Sequence, residues 1–154
     1  MPQDKITILY VDDEENNLFS FKATFRIKYN VITALTGQDA LKVLDTKPVQ
    51  IIITDQRMPE MTGVEFLEKV LVKYPDPMRI LLTGYADMGA VVDAVNKGKI
   101  FHYLAKPWNE DELDLTISMA YAKYLEKIQL KDMNEKLEGS NEQLEFLLRQ
   151  KLLS

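Results

Sequence analysis

The chain has 154 residues, 46% of them hydrophobic, a formal net charge of −5, no cysteine and one histidine, His102. That length fits one domain with an appendage, and the apolar fraction suits a buried core rather than a disordered chain. Disulfides and thiolate metal sites are excluded, one histidine argues against histidine catalysis or a multi-histidine metal site, and the lack of a basic cluster argues against direct nucleic-acid binding.

No apolar run approaches the ~20 residues of a membrane span. The polar start, Met1-Pro2-Gln3-Asp4-Lys5, lacks the layout of a signal peptide. A cytoplasmic location is expected.

Apolar runs alternate with amphipathic ones along the chain. Residues 6–11 are β-branched and almost continuously apolar, as a strand covered on both faces should be. Residues 17–28 set Leu18, Phe21 and Phe25 on one helical face. Residues 30–34 read as a second strand, 38–46 as a helix carrying Ala40, Leu41 and Leu44, and 49–54 as a third, strongly apolar strand. A helix over 63–73 has Val64, Phe66, Leu67, Val70 and Leu71 as its apolar residues and is closed by Pro75 and Pro77. Residues 79–83 form the fourth strand, 87–97 a helix stopped by Gly98, and 100–105 the fifth strand. From Trp108 the pattern is helical to the end. Five strand–helix pairs imply a doubly wound parallel sheet with helices on both faces. Ligands of such sheets sit beyond the carboxyl ends of the strands.

Asp12, Asp13, Glu14 and Glu15 follow the first strand, Asp55 the third; the fourth ends in Thr83 and the fifth in Ala105-Lys106-Pro107. Singly, each has an ordinary reading: Asp12 and Asp13 as helix-start residues, Asp55 as turn chemistry before Pro59 and Gly63. Together they make a site. Carboxylates brought together repel one another, and burial worsens the repulsion. A hard divalent cation such as Mg2+ resolves the conflict. An ammonium and a hydroxyl beside it can hold a tetrahedral dianion, which is the equipment of phosphoryl transfer. A carboxylate there can attack phosphorus and become an aspartyl-phosphate.

From residue 5 to about 124 the chain resembles the receiver domains of bacterial response regulators, the chemotaxis-regulator-like modules of two-component signalling. The matching stretches are Ile8-Leu9-Tyr10-Val11-Asp12-Asp13-Glu14, Ile53-Thr54-Asp55-Gln56-Arg57-Met58-Pro59, Leu82-Thr83-Gly84 and Tyr103-Leu104-Ala105-Lys106-Pro107-Trp108. The resemblance implies a flavodoxin-like α/β fold, strand order 2-1-3-4-5, with an extended C-terminal helix. It implies Asp55 as phosphoacceptor. Asp13, Asp55 and the backbone carbonyl of Arg57 would bind Mg2+, or Mn2+ in its place, with Asp12 acting through water. Lys106 would pair with the phosphoryl group and Thr83 would donate its hydroxyl to it. Tyr103 would be the aromatic switch that turns inward when Thr83 moves, changing the surface of the fourth helix, fifth strand and fifth helix. Receivers often have a cis Lys-Pro bond, which Pro107 makes accessible. The implied partner is a histidine kinase or phosphotransfer protein. The implied activity is a signalling switch that catalyses only its own phosphorylation and dephosphorylation. Asp55-Gln56-Arg57-Met58-Pro59, Leu82-Thr83-Gly84-Tyr85, Asn96-Lys97-Gly98-Lys99-Ile100 and Lys106-Pro107-Trp108 further resemble receivers fused to varied output modules. Family members vary at the positions of Arg57 and Tyr85, which border the path of the hydrolytic water. A long arginine and an aromatic ring there predict a long-lived phosphate.

Residues 1–124 are read as the receiver and 125–154 as a helical linker. Leu130, Leu137 and Leu144 recur every seventh residue, with Met133, Ser140 and Leu147 in the companion positions. That is a short coiled-coil pattern. Gly139 costs ~1 kcal/mol inside a helix, and Ser140-Asn141-Glu142-Gln143 fits a capping box that would start a second helix. Six acidic and five basic side chains over 126–154 exclude a basic arm. The expectation is a linker to a further C-terminal output domain, and a homodimer through this helix.

Two other readings compete. A magnesium-dependent phosphohydrolase on a similar sheet usually carries a second acid two residues after its nucleophile, where this chain has Arg57. A silent receiver serving as a dimerisation module would not need Asp12, Asp13, Asp55, Thr83 and Lys106 together. A flavin site lacks its hydroxyl- and glycine-rich phosphate loop after the first strand.

Overall fold

The computed structural model describes residues 5–153, except for the side chain of Tyr85. The polar start over residues 1–4 therefore lies outside the described residues. Five strands, β1 (Thr7–Val11), β2 (Asn30–Ala34), β3 (Ile51–Asp55), β4 (Met78–Thr83) and β5 (His102–Ala105), form one parallel sheet in the order β2-β1-β3-β4-β5. Five helices accompany them: α1 (Glu15–Phe25), α2 (Gly37–Thr46), α3 (Gly63–Lys73), α4 (Met88–Asn96) and α5 (Glu110–Leu153). This is the expected doubly wound, flavodoxin-like fold.

Strand side chains alternate between the faces, so the apolar runs feed two cores. Ile8, Tyr10, Ile51, Ile53, Ile80 and Leu82 meet Phe21 and Phe25 of α1 and Leu113 and Ile117 of α5. Leu9, Val11, Ile52 and Leu81 meet Leu44 of α2, Phe66, Leu67 and Val70 of α3, and Val91 of α4. Three helices start on side-chain caps: Thr36 accepts from Asp39 N at 3.0 Å, Thr62 from Glu65 N at 3.1 Å, and Asn109 from Glu112 N at 3.0 Å. Each satisfies a backbone donor that the helix start leaves unpaired.

Several boundaries shift for tertiary reasons. The first helix ends at Phe25, because Asn30 must already pair with Ile6 to open β2. The fourth helix spans Met88–Asn96 after a 3-10 turn at Tyr85–Asp87, and Gly98 supplies the left-handed exit at φ 75°. The fifth strand begins at His102, since Ile100 is spent on the core. Trp108 lies outside α5 and packs on Phe21 and Phe25 instead.

The chain divides into two compact units, Met1–Tyr124 and Leu125–Ser154. The second is helical through Leu153, and no second helix starts at Ser140. Leu130, Met133, Leu137, Leu144 and Leu147 are exposed along it. Among the described residues no helix is long and apolar enough to cross a membrane.

Candidate functional site

The register of the sheet brings the strand ends level. Val11 pairs with Thr54, Asp55 with Leu82, and Thr83 with Ala105, so residues at or just past these positions share one edge. Asp12 follows β1, Asp55 is the last residue of β3, Thr83 the last of β4, and Lys106 follows β5. Carboxylate oxygens of Asp12, Asp13 and Asp55 lie within 4.8 Å of one another. Lys106 Nζ stands 3.0 Å from Asp55 Oδ2 and 3.6 Å from Asp12 Oδ2.

Asp12 is fully buried and Asp13 is exposed. A buried carboxylate requires donors. Asp12 Oδ1 accepts from Glu14 N at 3.0 Å, and Oδ2 from Asn17 Nδ2 at 3.1 Å and from the Tyr10 hydroxyl at 3.4 Å. Asp55 is 8% exposed. Burial pushes its carboxyl above the usual range and the charge of Asp12 adds to the push, while the Lys106 ammonium opposes both. Burial alone would lower the Lys106 ammonium, but hydrogen bonding and attraction to Asp55, then Asp12, carry it above its ordinary value.

Thr83 is buried, and its hydroxyl donates to Gly84 O at 3.1 Å. Tyr103 is half-buried on β5, opposite Leu81, and packs against the core that holds Leu81 and Val91. Its ring stacks on His102, with centroids 6.0 Å apart. Arg57 is exposed and its Nε donates to Asp87 Oδ2 at 3.0 Å, tying the loop after β3 to the turn before α4. Asp55, Arg57, Gly84, Ala86, Asp87 and Lys106 line one open cleft. The expected position of the Tyr85 ring beside it lies outside the described residues. The Lys106-Pro107 bond is cis.

The donor set fits a hard divalent cation. Three carboxylates in reach of one point, without a histidine or thiolate, are the ligands that Mg2+ or Mn2+ prefers.

Five residues here escaped the reading of the sequence. Tyr10 carried a signal, being a hydroxyl in an aliphatic strand, two residues before Asp12 and therefore on the same face. Asn17 and Asp87 act through contacts that no local pattern announces. Gln56 is buried, and its Oε1 accepts from Val64 N at 2.9 Å, pinning α3 to the loop after Asp55. A Cβ on Gly63 would collide with the Asp55 carbonyl and come 2.7 Å from Leu81 Cδ1, so only glycine lets α3 approach β3 this closely.

The model of the response regulator receiver domain matches residues 8–118. The hydrogenase transcriptional regulatory protein HoxA of Cupriavidus necator is 37% identical over 120 residues, covering 78% of this chain and 25% of that protein. The chain spans about a quarter of the length of the curated relatives it matches. Among solved structures, the signal receiver domain of an HD domain-containing protein from Pseudomonas fluorescens is 32% identical, with a TM-score of 0.75, covering 79% of this chain and 98% of that one. The response regulator TrrA of Thermotoga maritima, solved in complex with Mg2+-BeF, is 29% identical, with a TM-score of 0.67, covering 75% of this chain and 98% of that one. With the family model matched over most of the chain, the chain belongs to the response regulator receiver domains.

Proposed function

We propose that this receiver is a phosphorylation-dependent switch in which Asp55 accepts a phosphoryl group from a histidine kinase or phosphotransfer protein. The observation that carries the reading is Lys106 Nζ at 3.0 Å from Asp55 Oδ2, with oxygens of Asp12, Asp13 and Asp55 within 4.8 Å of one another. Asp13, Asp55 and the Arg57 carbonyl would hold Mg2+, with Asp12 steadying its water. A cation held there would supply charge neutralisation to the phosphoryl oxygens. An Asp55 carboxylate oxygen forms the new bond to phosphorus while the donor's bond breaks and its electron pair leaves with the donor. Lys106 follows the charge from the carboxylate to the phosphoryl group. Thr83 exchanges Gly84 O for a phosphoryl oxygen, the loop through Gly84 shifts, and Tyr103 turns into the space. The protein so acts on itself alone, and Arg57 in place of a second acid supports that over hydrolysis of external substrates.

Residues 1–124 form the switch, and the helix over 125–154 carries its state to an output domain. Two copies of this helix pairing through Leu130, Leu137 and Leu144 would set that geometry. The cytoplasm is the compartment where a kinase would meet it. A relative that is a transcriptional regulator assigns no nucleic-acid contact to this acidic chain.

Incubation with Mg2+ and a small phosphodonor, followed by intact mass measurement, tests the reading. One added phosphoryl group in the wild type and none in Asp55→Ala is expected. Sustained turnover without a stable adduct, with fast self-dephosphorylation excluded, would favour the phosphohydrolase. No adduct with any donor would leave a dimerisation module.

A further inference from the structure

Asp12 presents a problem that the proposed chemistry does not solve. Its carboxylate is fully buried, and of its three hydrogen-bond donors one is a backbone N–H, from Glu14. The Lys106 ammonium, an ion pair at 3.6 Å, is nearer to Asp55 than to Asp12, and would turn to the phosphoryl group once Asp55 is modified. That leaves Tyr10 and Asn17, both on Oδ2.

Tyr10 is held for this task. Its ring is 1% exposed and stacks on Phe21 with centroids 4.1 Å apart and planes 1° from parallel. Phe21 in turn meets Trp108 edge-on at 6.1 Å. The phenol proton is directed at Asp12 Oδ2. A phenylalanine or valine here would fill β1 equally well and give Asp12 nothing.

We propose that Tyr10 and Asn17 are positioning residues for the cation site, fixing the Asp12 carboxylate through Oδ2, with the stack on Phe21 holding the Tyr10 ring. The inference deepens the proposed switch and rests on its cation site. Outer partners of this kind orient the groups around a metal, and their loss typically weakens affinity by about 10–100-fold.

The test uses the unphosphorylated full chain. Trp108 is the sole tryptophan and shares a cleft with Tyr10, Asn17 and Lys106, so its emission reports Mg2+ titrations, with calorimetry as a second measure. Tyr10→Phe keeps the ring stack, and Asn17→Ala changes a half-buried helix residue. Each is expected to weaken Mg2+ binding by about 10-fold or more. Each should also shrink the rise in melting temperature that Mg2+ produces in wild type, because that rise scales with affinity. A role in packing alone would lower the melting temperature equally with and without Mg2+. Wild-type Mg2+ affinity in both variants would overturn this inference and leave the switch standing. No Mg2+ binding by the wild type would overturn both.

Discussion

The two flanks of the acidic site are built on different principles. Beside α1, Asp12 is buried, accepts hydrogen bonds from Glu14, Asn17 and Tyr10, and forms an ion pair with Lys106. Beside α4, Arg57 is 74% exposed and held by a single ion pair to Asp87. Asp87 makes no side-chain cap on α4, unlike Thr62 on α3. A buried group ringed by donors has one good arrangement. An exposed pair is worth only ~0–1 kcal/mol and exchanges partners easily. The difference assigns the roles of the proposed switch: the α1 flank presents a fixed cradle, and the α4 flank is free to respond.

Gly63 is where that contrast is broken with the largest effect. It lies against the Asp55 carbonyl, Gln56 and Leu81, beneath the residue that both flanks share. Gly63→Ala forces α3 away from β3 or moves Asp55 itself. Overpacking of this kind costs typically ~1–3 kcal/mol, readable as a lower urea midpoint with an unchanged slope. Phosphorylation of Asp55 by a small donor should slow as well. Unaltered stability and rate would mean that the seat of Asp55 is as yielding as the α4 side, and the division into firm and soft flanks would lapse.

Most of the sheet was legible because a parallel strand covered on both faces writes itself as an apolar run. Ile51, Ile52 and Ile53 could be little else. The site was legible for a related reason: once the strands are found, the residues ending them must meet. Contacts between distant loops left no such trace. Arg57 and Asp87 are 30 residues apart, and nothing near either announces the other. Trp108 reads as the opening of a helix, yet its ring serves the core around Phe21 and Phe25. Gly139 and Ser140 read as a break, and the helix runs through them, since a single glycine costs less than opening several backbone hydrogen bonds.

The soft flank predicts a measurable phosphate lifetime. Arg57 borders the cleft above Asp55 only while Asp87 holds it there; the reading of Tyr85 rests on its place in the sequence, two residues past Thr83. Arg57→Ala combined with Tyr85→Ala is expected to hasten decay of the phosphorylated form after donor removal by several-fold, a barrier change of about 1 kcal/mol. Asp87→Asn alone should act in the same direction and less strongly. An unchanged decay in the double variant removes the idea that these side chains guard the path of water.

The smallest effect tests whether the firm flank owes its firmness to charge. At the far end of α1, Lys28 Nζ lies 2.6 Å from Asp114 Oδ2, and the Tyr29 hydroxyl donates to the same carboxylate. Burial alone would raise the Asp114 carboxyl, but hydrogen bonds from Lys28 and Tyr29 outweigh it and hold the group below its ordinary range. A depressed carboxyl contributes stability above the unfolded value of ~3.9 and loses it as pH falls through the folded value. Tyr29 is shifted the other way, by burial first and then by Asp114, so its share is present below ~10 and lost at higher pH. Asp114→Asn is therefore expected to lower stability near neutrality by less than ~1 kcal/mol after solvent screening, with the gap from wild type closing below pH ~4. Melting curves at pH 7 and pH 3 decide it. A gap that persists at the lower pH would locate the tie in packing rather than charge. In either outcome Asp12 and Tyr10 should keep their arrangement, because burial and stacking hold the end of β1.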